Sequence, residues 1–390
     1  MTAAWHPASW RERPAEQMPV YADLTALGAV ETELRNARPI ARAEDSAALK
    51  DRLATAAQRR ALLLQGGDCA EIFGGHTARS VTALAGLFDA MSEALERQAG
   101  VPVVRIARIA GQFAKPRTME VEEQDDQVLP VWRGEIVNGK PFEAEARAAD
   151  PARMLLAHAD SMRVAQLLRR DLFISHEALL LPYEEALLRV GPDGKPWSVS
   201  AHFLWVGERT RQVDGAHVEF LSGIANPIGV KCGPSLEADE MLRLLDKLDP
   251  ENEPGRLTLI VRHGAEEIAR RLPALMRAVK GAGREPLWVS DPMHGNTVRG
   301  EAGKRRHVAT MLNEARRFAD IAYAEAVWPG GLHLEMTAED VGECLGAHGP
   351  ASPEELGPKW TSACDPRLNG DQALAFAQSW AALLRSQVAA

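Results

Sequence analysis

The amino-acid sequence predicts an α/β chain of the (β/α)8 TIM-barrel class with a short N-terminal arm. Three observations carry that expectation. Eight short apolar runs follow one another, each ending in turn residues. Helical patterns separate most of them. Polar and charged side chains gather at the C-terminal ends of the runs, the end at which barrels build their sites. Five or six strands would instead suggest an open, doubly wound sheet.

Residues 1–48 are polar and proline-containing, with a helix expected over 23–37, and read as an arm. Residues 49–390 read as one barrel domain. A helical approach over 46–60 leads to the first run, 61–65, which ends in Gly66-Gly67-Asp68-Cys69. The second, 101–109, ends at Gly111 and is followed by Lys115-Pro116-Arg117. The third is 172–176, with Glu177 after it. The fourth is 202–206, ending Gly207-Glu208-Arg209. The fifth is 227–231, ending Cys232-Gly233. The sixth is 257–261, ending Arg262-His263-Gly264. The seventh opens the stretch 287–297 and breaks into Asp291-Pro292-Met293-His294-Gly295-Asn296. The eighth is 332–336, ending at Thr337. Helical spacing is read over 81–98, 153–168, 265–281, 304–319 and 371–384. Thr337 followed by Asp340 reads as a capping box opening a helix after the eighth strand. Pro192-Asp193-Gly194 marks a turn or short hairpin within 182–200. The connections 115–171 and after the eighth run are long.

The chain has 390 residues, 46% hydrophobic and 25% charged, enough for a sizeable core. Its net charge of −9, from 45 basic and 54 acidic residues, argues against nucleic acid or an anionic membrane as main partner. No apolar run reaches the roughly 18 residues of a membrane span. Residues 1–20 show no secretory signal. Cys69, Cys232, Cys344 and Cys364 are widely spaced and without a CxxC, so reduced thiols in a cytoplasmic protein are expected.

Arg108, Lys115, Arg209, Lys231 and Arg262 would converge on one barrel mouth. They would repel one another unless an anion lay between them, so a small, phosphorylated polyanion is implied. Gly111, Gly233 and Gly264 would leave room for its close approach. Cys69, His294, Glu335 and Asp365 form a mixed sulfur, nitrogen and oxygen set that suits a divalent transition metal. Against this stands the plain alternative of a packed thiol, a loop histidine and two solvated carboxylates.

Several long motifs stand in order along the chain. They are Gln65-Gly-Gly-Asp-Cys-Ala-Glu71, Arg108-Ile-Ala-Gly-Gln-Phe-Ala-Lys-Pro-Arg117, Ser175-His-Glu177, Trp205-Val-Gly-Glu-Arg-Thr-Arg211, Asn226-Pro-Ile-Gly-Val-Lys231, Asp291-Pro-Met-His-Gly-Asn-Thr297 and Cys364-Asp-Pro-Arg-Leu-Asn369. Together they resemble the class II, plant-type 3-deoxy-D-arabino-heptulosonate 7-phosphate (DAHP) synthases. The resemblance runs from Trp10-Arg11 to the last helix. It implies a metal-dependent aldol-type condensation of phosphoenolpyruvate with erythrose 4-phosphate, the first step of the shikimate pathway. By position it implies Cys69, His294, Glu335 and Asp365 as ligands of manganese or cobalt, with zinc a further option. It places phosphoenolpyruvate on Arg108, Glu208, Arg209, Lys231 and Arg262, with Glu208, Lys231 and Arg262 catalytic. Lys115 and Arg117 would serve erythrose 4-phosphate. Glu208 would order either Arg209 or a water.

The chain departs from the family pattern at Trp360 (Tyr expected), at Ala338-Glu-Asp340 (Gly-Glu-Asn expected), at His263 (often Met) and at Ser290 (more usually Cys). None of these removes an implied ligand. The chain is short for the family, which implies weak or absent feedback by aromatic amino acids and, by analogy, a role in secondary metabolism. A homo-oligomer is also expected, with a chorismate mutase as a candidate partner. Cys364 is expected near Cys69, both reduced rather than bridged. The alternatives are an amino-DAHP synthase using an imino analogue of erythrose 4-phosphate, a silent paralogue that binds a partner enzyme, and another metal-dependent aldolase.

Overall fold

The computed structural model describes residues 5–300 and 303–388, with side chains through 384. Eight strands form a closed parallel barrel: β1 (Leu62–Gly67), β2 (Val103–Arg108), β3 (Phe173–Glu177), β4 (Phe203–Val206), β5 (Ile228–Cys232), β6 (Leu257–Val261), β7 (Leu287–Ser290) and β8 (Gly331–Glu335). Each pairs with the next in sequence, and β8 closes onto β1 in the register Gln65 to His333 and Gly67 to Glu335. All eight apolar runs are barrel strands, displaced by a residue or two at most ends.

Strand side chains alternate between two environments. Leu63, Val104, Ile106, Phe203, Trp205, Ile260, Leu287 and Val289 pack together inside the barrel. Their neighbours Leu62, Leu64, Leu204, Val206, Leu259, Val261, Leu332 and Leu334 belong to the shell between strands and helices. Leu49, Leu53 and Ala56 of α2 (Ala43–Ala57) join the inner cluster and plug the N-terminal end. The arm–barrel boundary expected at residue 48 lies within this helix. Ahead of it, α1 (Leu24–Asn36) is capped by Asp23, whose carboxylate accepts the amides of Thr25 and Ala26 at 2.9 Å. Trp10 anchors the arm by donating from Nε1 to Glu185 at 2.8 Å.

The outer helices are α3 (Ala78–Ala99), α4 (Arg153–Ala165), α5 (Ala216–Gly223), α6 (Ala238–Leu248), α7 (Ile268–Gly281), α8 (Val308–Ala324) and α9 (Gly370–Val388). Two sequence expectations are corrected. No helix starts at Thr337. The Thr337 hydroxyl accepts the amide of Glu339 at 3.2 Å, and Asp340 pairs with Lys359 in solvent rather than capping a helix. The helix expected from residue 304 begins at Val308, because Gly303–Arg305 pairs antiparallel with Val298–Gly300 in a hairpin at the barrel mouth. The long connection after Lys115 holds a second hairpin, Val121–Gln124 with Gln127–Pro130. Leu188–Val190 and Pro196–Ser198 make the short one expected around Pro192-Asp193-Gly194. No helix among the described residues is long and apolar enough to cross a membrane.

Candidate functional site

The inward-facing residues become polar toward the C-terminal end of the barrel. The apolar floor gives way to Gln65, Ser175, Trp205 and His333, and then to Arg108, Glu177, Lys231, Asp291 and Glu335. Above them opens a cavity of about 600 Å³. Its wall includes Cys69, Arg108, Lys115, Arg117, Glu208, Arg209, Lys231, Arg262, His294 and Asp365. Glu335 lies just beneath, fully buried, with His294 Nε2 3.0 Å from its Oε1. The residues singled out from sequence are therefore brought to one place.

Ligand atoms of His294, Glu335 and Asp365 lie within 4.8 Å of one another. Cys69 is outside that group, but its Sγ accepts the Asp365 amide at 3.2 Å and sits 3.1 Å from Ser362 Oγ. Burial raises the Cys69 pKa, so a metal entering here would have to displace the thiol proton. His294 Nδ1 lies 2.8 Å from Asp291 Oδ2, which sets the ring so that Nε2 faces the carboxylates. Burial opposes the charge on Asp291, yet His294 and Lys231 hold its pKa well below the usual carboxylate range. The donor set and the carboxylate behind the histidine fit a divalent transition metal.

A directed chain of hydrogen bonds runs under Arg108. Ser175 Oγ donates to the Ala107 carbonyl at 3.0 Å and so accepts from Gln65 Nε2 at 3.0 Å. Gln65 Oε1 then lies 2.7 Å from His333 Nδ1, which must donate. His333 Nε2 is left as acceptor for Arg108 Nη1 at 2.7 Å. Burial, with Lys231 and Arg108 nearby, drives the His333 pKa well below the usual histidine range and keeps it neutral. Arg108 is thereby fixed above the Trp205 ring, its guanidinium carbon 5.2 Å from the centroid, while Nη2 reaches Glu335 at 3.1 Å.

Lys231 donates to Asp291 at 2.5 Å, and burial pulls its pKa down to about 8. Lys115 donates to Asp365 Oδ2 at 2.5 Å. Arg117 pairs with Glu122 and reaches Cys364 Sγ at 3.6 Å. Glu208 pairs with Arg262, not with Arg209, and also accepts from Ser235 Oγ at 3.0 Å. Arg209 is exposed and donates to Thr118 at 2.8 Å. The three glycines expected to admit a ligand instead make room for protein. A Cβ at Gly111 would lie 2.3 Å from His176 Nδ1, one at Gly233 2.1 Å from Glu208 Oε1, and one at Gly264 2.8 Å from the Gly295 carbonyl. All four cysteines are free.

The sequence reading missed Asp291, His333, Gln65, Lys304 and Arg306. Lys304 donates to Asp365 Oδ1 at 2.6 Å and Arg306 to Glu335 Oε2 at 2.5 Å. Both were hidden by the helix assigned from residue 304. Asp291 had a readable signal, a carboxylate three residues before a candidate ligand histidine in a strand-end turn. Trp360, a departure from the family pattern, donates to the Ser362 carbonyl at 3.0 Å and so steadies the residue beside Cys69.

The family model described as the class-II DAHP synthetase family matches residues 5–170 and 161–381. A phospho-2-dehydro-3-deoxyheptonate aldolase of Streptomyces coelicolor is 39% identical over 97% of this chain and 97% of its own length. Enzymes of the same name from Mycolicibacterium smegmatis and Neurospora crassa are each 37% identical, over 96% of this chain and 93% of their own lengths. The chain belongs to the class-II DAHP synthetase family.

Proposed function

We infer that this chain condenses phosphoenolpyruvate with erythrose 4-phosphate to give DAHP and phosphate, the first step of the shikimate pathway. One observation carries the reading beside the family match. Arg108, Lys115, Arg117, Arg209, Lys231, Arg262 and Lys304 surround a single cavity that also holds His294 and Asp365. Two phosphates and a carboxylate supply the negative charge that such a ring of cations requires.

In this reading Arg108, Arg209, Lys231 and Arg262 bind phosphoenolpyruvate, and Lys115 and Arg117 bind the phosphate end of erythrose 4-phosphate. Manganese or cobalt, held by Cys69, His294, Glu335 and Asp365, would supply Lewis acidity toward the aldehyde. The enol carbon of phosphoenolpyruvate attacks the aldehyde carbon, water adds at C2, and the phosphohemiketal collapses with loss of phosphate. Glu208 fixes Arg262, so that Arg262 and Lys231 meet the phosphate as it leaves. Their main contribution is orientation and fixed countercharge.

Phosphate release from the two substrates, in manganese or cobalt and with or without EDTA, tests the reading. Metal-dependent release is expected. Consumption of the imino analogue alone would replace the sugar substrate, and no turnover of either by metal-loaded protein would overturn enzymatic function.

Two further outcomes are expected. His333→Phe removes the acceptor that fixes Arg108, so the KM for phosphoenolpyruvate should rise about tenfold, and His333→Gln should recover part of the loss. Steady-state kinetics check this, and an unchanged KM in His333→Phe would remove His333 from the site. Turnover is also expected to be insensitive to Trp, Phe or Tyr. Strong inhibition at sub-millimolar amino acid would contradict that expectation.

A further inference from the structure

Four carboxylates reach the wall of the cavity: Glu122, Glu177, Glu208 and Asp365. Three are matched by cations. Glu122 has Arg117 and Arg147, Glu208 has Arg262, and Asp365 has Lys115 and Lys304. Glu177 makes no ion pair among the described residues, and its buried Oε1 has no hydrogen-bond partner.

The position of Glu177 is built rather than incidental. It is the last residue of β3 and stands opposite Trp205 of β4. Its amide donates to Gln112 Oε1 at 3.1 Å. Gly207 leaves the space that its carboxyl occupies, since a Cβ there would lie 2.1 Å from Glu177 Oε1. Burial raises its pKa above the ordinary glutamate value, although Lys115, Lys231, Arg209 and Arg108 stand around it.

A carboxyl facing two anionic substrates is an electrostatic cost unless it receives a proton donor. The carboxyl, which lines the cavity, then gains a charge-assisted hydrogen bond. Ionised phosphoenolpyruvate carries no hydroxyl group. Erythrose 4-phosphate carries two, at C2 and C3. We propose that Glu177 accepts a hydrogen bond from one of these hydroxyls and selects a hydroxylated aldehyde over a plain one. The proposal rests on the substrate pair inferred above. It holds equally for the imino analogue, which keeps both hydroxyls.

The test crosses two deletions. Wild type, Glu177→Ala and Glu177→Gln are assayed with phosphoenolpyruvate and each of erythrose 4-phosphate, its 2-deoxy analogue and its 3-deoxy analogue. Wild type should lose about 10- to 100-fold in kcat/KM on one deoxy analogue. Glu177→Ala should lose a similar factor on the natural substrate and treat that analogue and the natural substrate alike. Glu177→Gln, which keeps a neutral acceptor, should fall between them. Equilibrium binding of phosphoenolpyruvate should be retained in both variants, and no weaker than in wild type, because a negative charge beside its cations has been removed. A full deoxy penalty retained in Glu177→Ala overturns the proposal, as does loss of phosphoenolpyruvate binding in Glu177→Gln. Absence of erythrose 4-phosphate turnover in wild type would strike the inferred reaction itself, a separate and distinguishable failure.

Discussion

His294→Ala is expected to lose about 10³-fold or more in kcat/KM and most of its affinity for manganese, the largest single effect in the site. The imidazole is the only nitrogen in the proposed ligand set, and its Nε2 lies 3.0 Å from Glu335 Oε1. Alanine leaves two carboxylates and a thiol, a set with one donor fewer. Calorimetric titration with manganese reads the loss directly, apart from activity. Asp291→Asn should follow with a loss of about 10- to 100-fold in metal affinity, because an amide orients the ring less firmly than a carboxylate. It should also raise the KM for phosphoenolpyruvate, since the same carboxylate accepts from Lys231 at 2.5 Å. His294→Ala has no such second effect. A His294→Ala protein that still binds manganese as wild type does would remove His294 from the ligand set.

The barrel was legible because its strands are short apolar segments punctuated by turn residues, and such segments stay local in sequence. Two of the outer helices were not read. α5 is buried around most of its circumference, through Ala216, His217, Val218, Glu219, Phe220 and Leu221, so it shows no stripe. α6 does carry one, Met241, Leu244, Leu245 and Leu248, and is legible from its spacing. The candidate site was legible only in part, for a different reason. Cations at the ends of runs declare themselves by position. The partners that hold them do not. His333 sits in the middle of an apolar strand, where a histidine is more often a packed residue. Only the register that sets Gln65 beside it shows that it serves Arg108. Glu208 was read as serving Arg209 or a water. The choice depended on where Arg262 lies across the barrel, which no local pattern encodes.

Arg306→Met should cost about 3–5 kcal/mol of stability, because it strips one partner from a buried ion pair. Arg306 is fully buried. It donates to Glu335 Oε2 at 2.5 Å, to the Pro366 carbonyl at 2.6 Å and to Thr297 Oγ1 at 2.7 Å. Methionine fills much of the space but leaves all three acceptors without that donor. Those three belong to the end of β8, the loop bearing Asp365 and the entry to the hairpin bearing Lys304. The loss should therefore loosen three walls of the site together. Lys359→Ala, which breaks an exposed pair with Asp340, should leave the unfolding midpoint where it is. Denaturant unfolding with and without manganese adds a further distinction. A metal bound beside Glu335 supplies positive charge to the same carboxylate, so excess manganese should narrow the deficit of Arg306→Met. Arg306→Lys keeps the charge but cannot span three acceptors, and it should recover only part of the stability. If Arg306→Met unfolds at the wild-type midpoint in both conditions, Arg306 does not hold the site together.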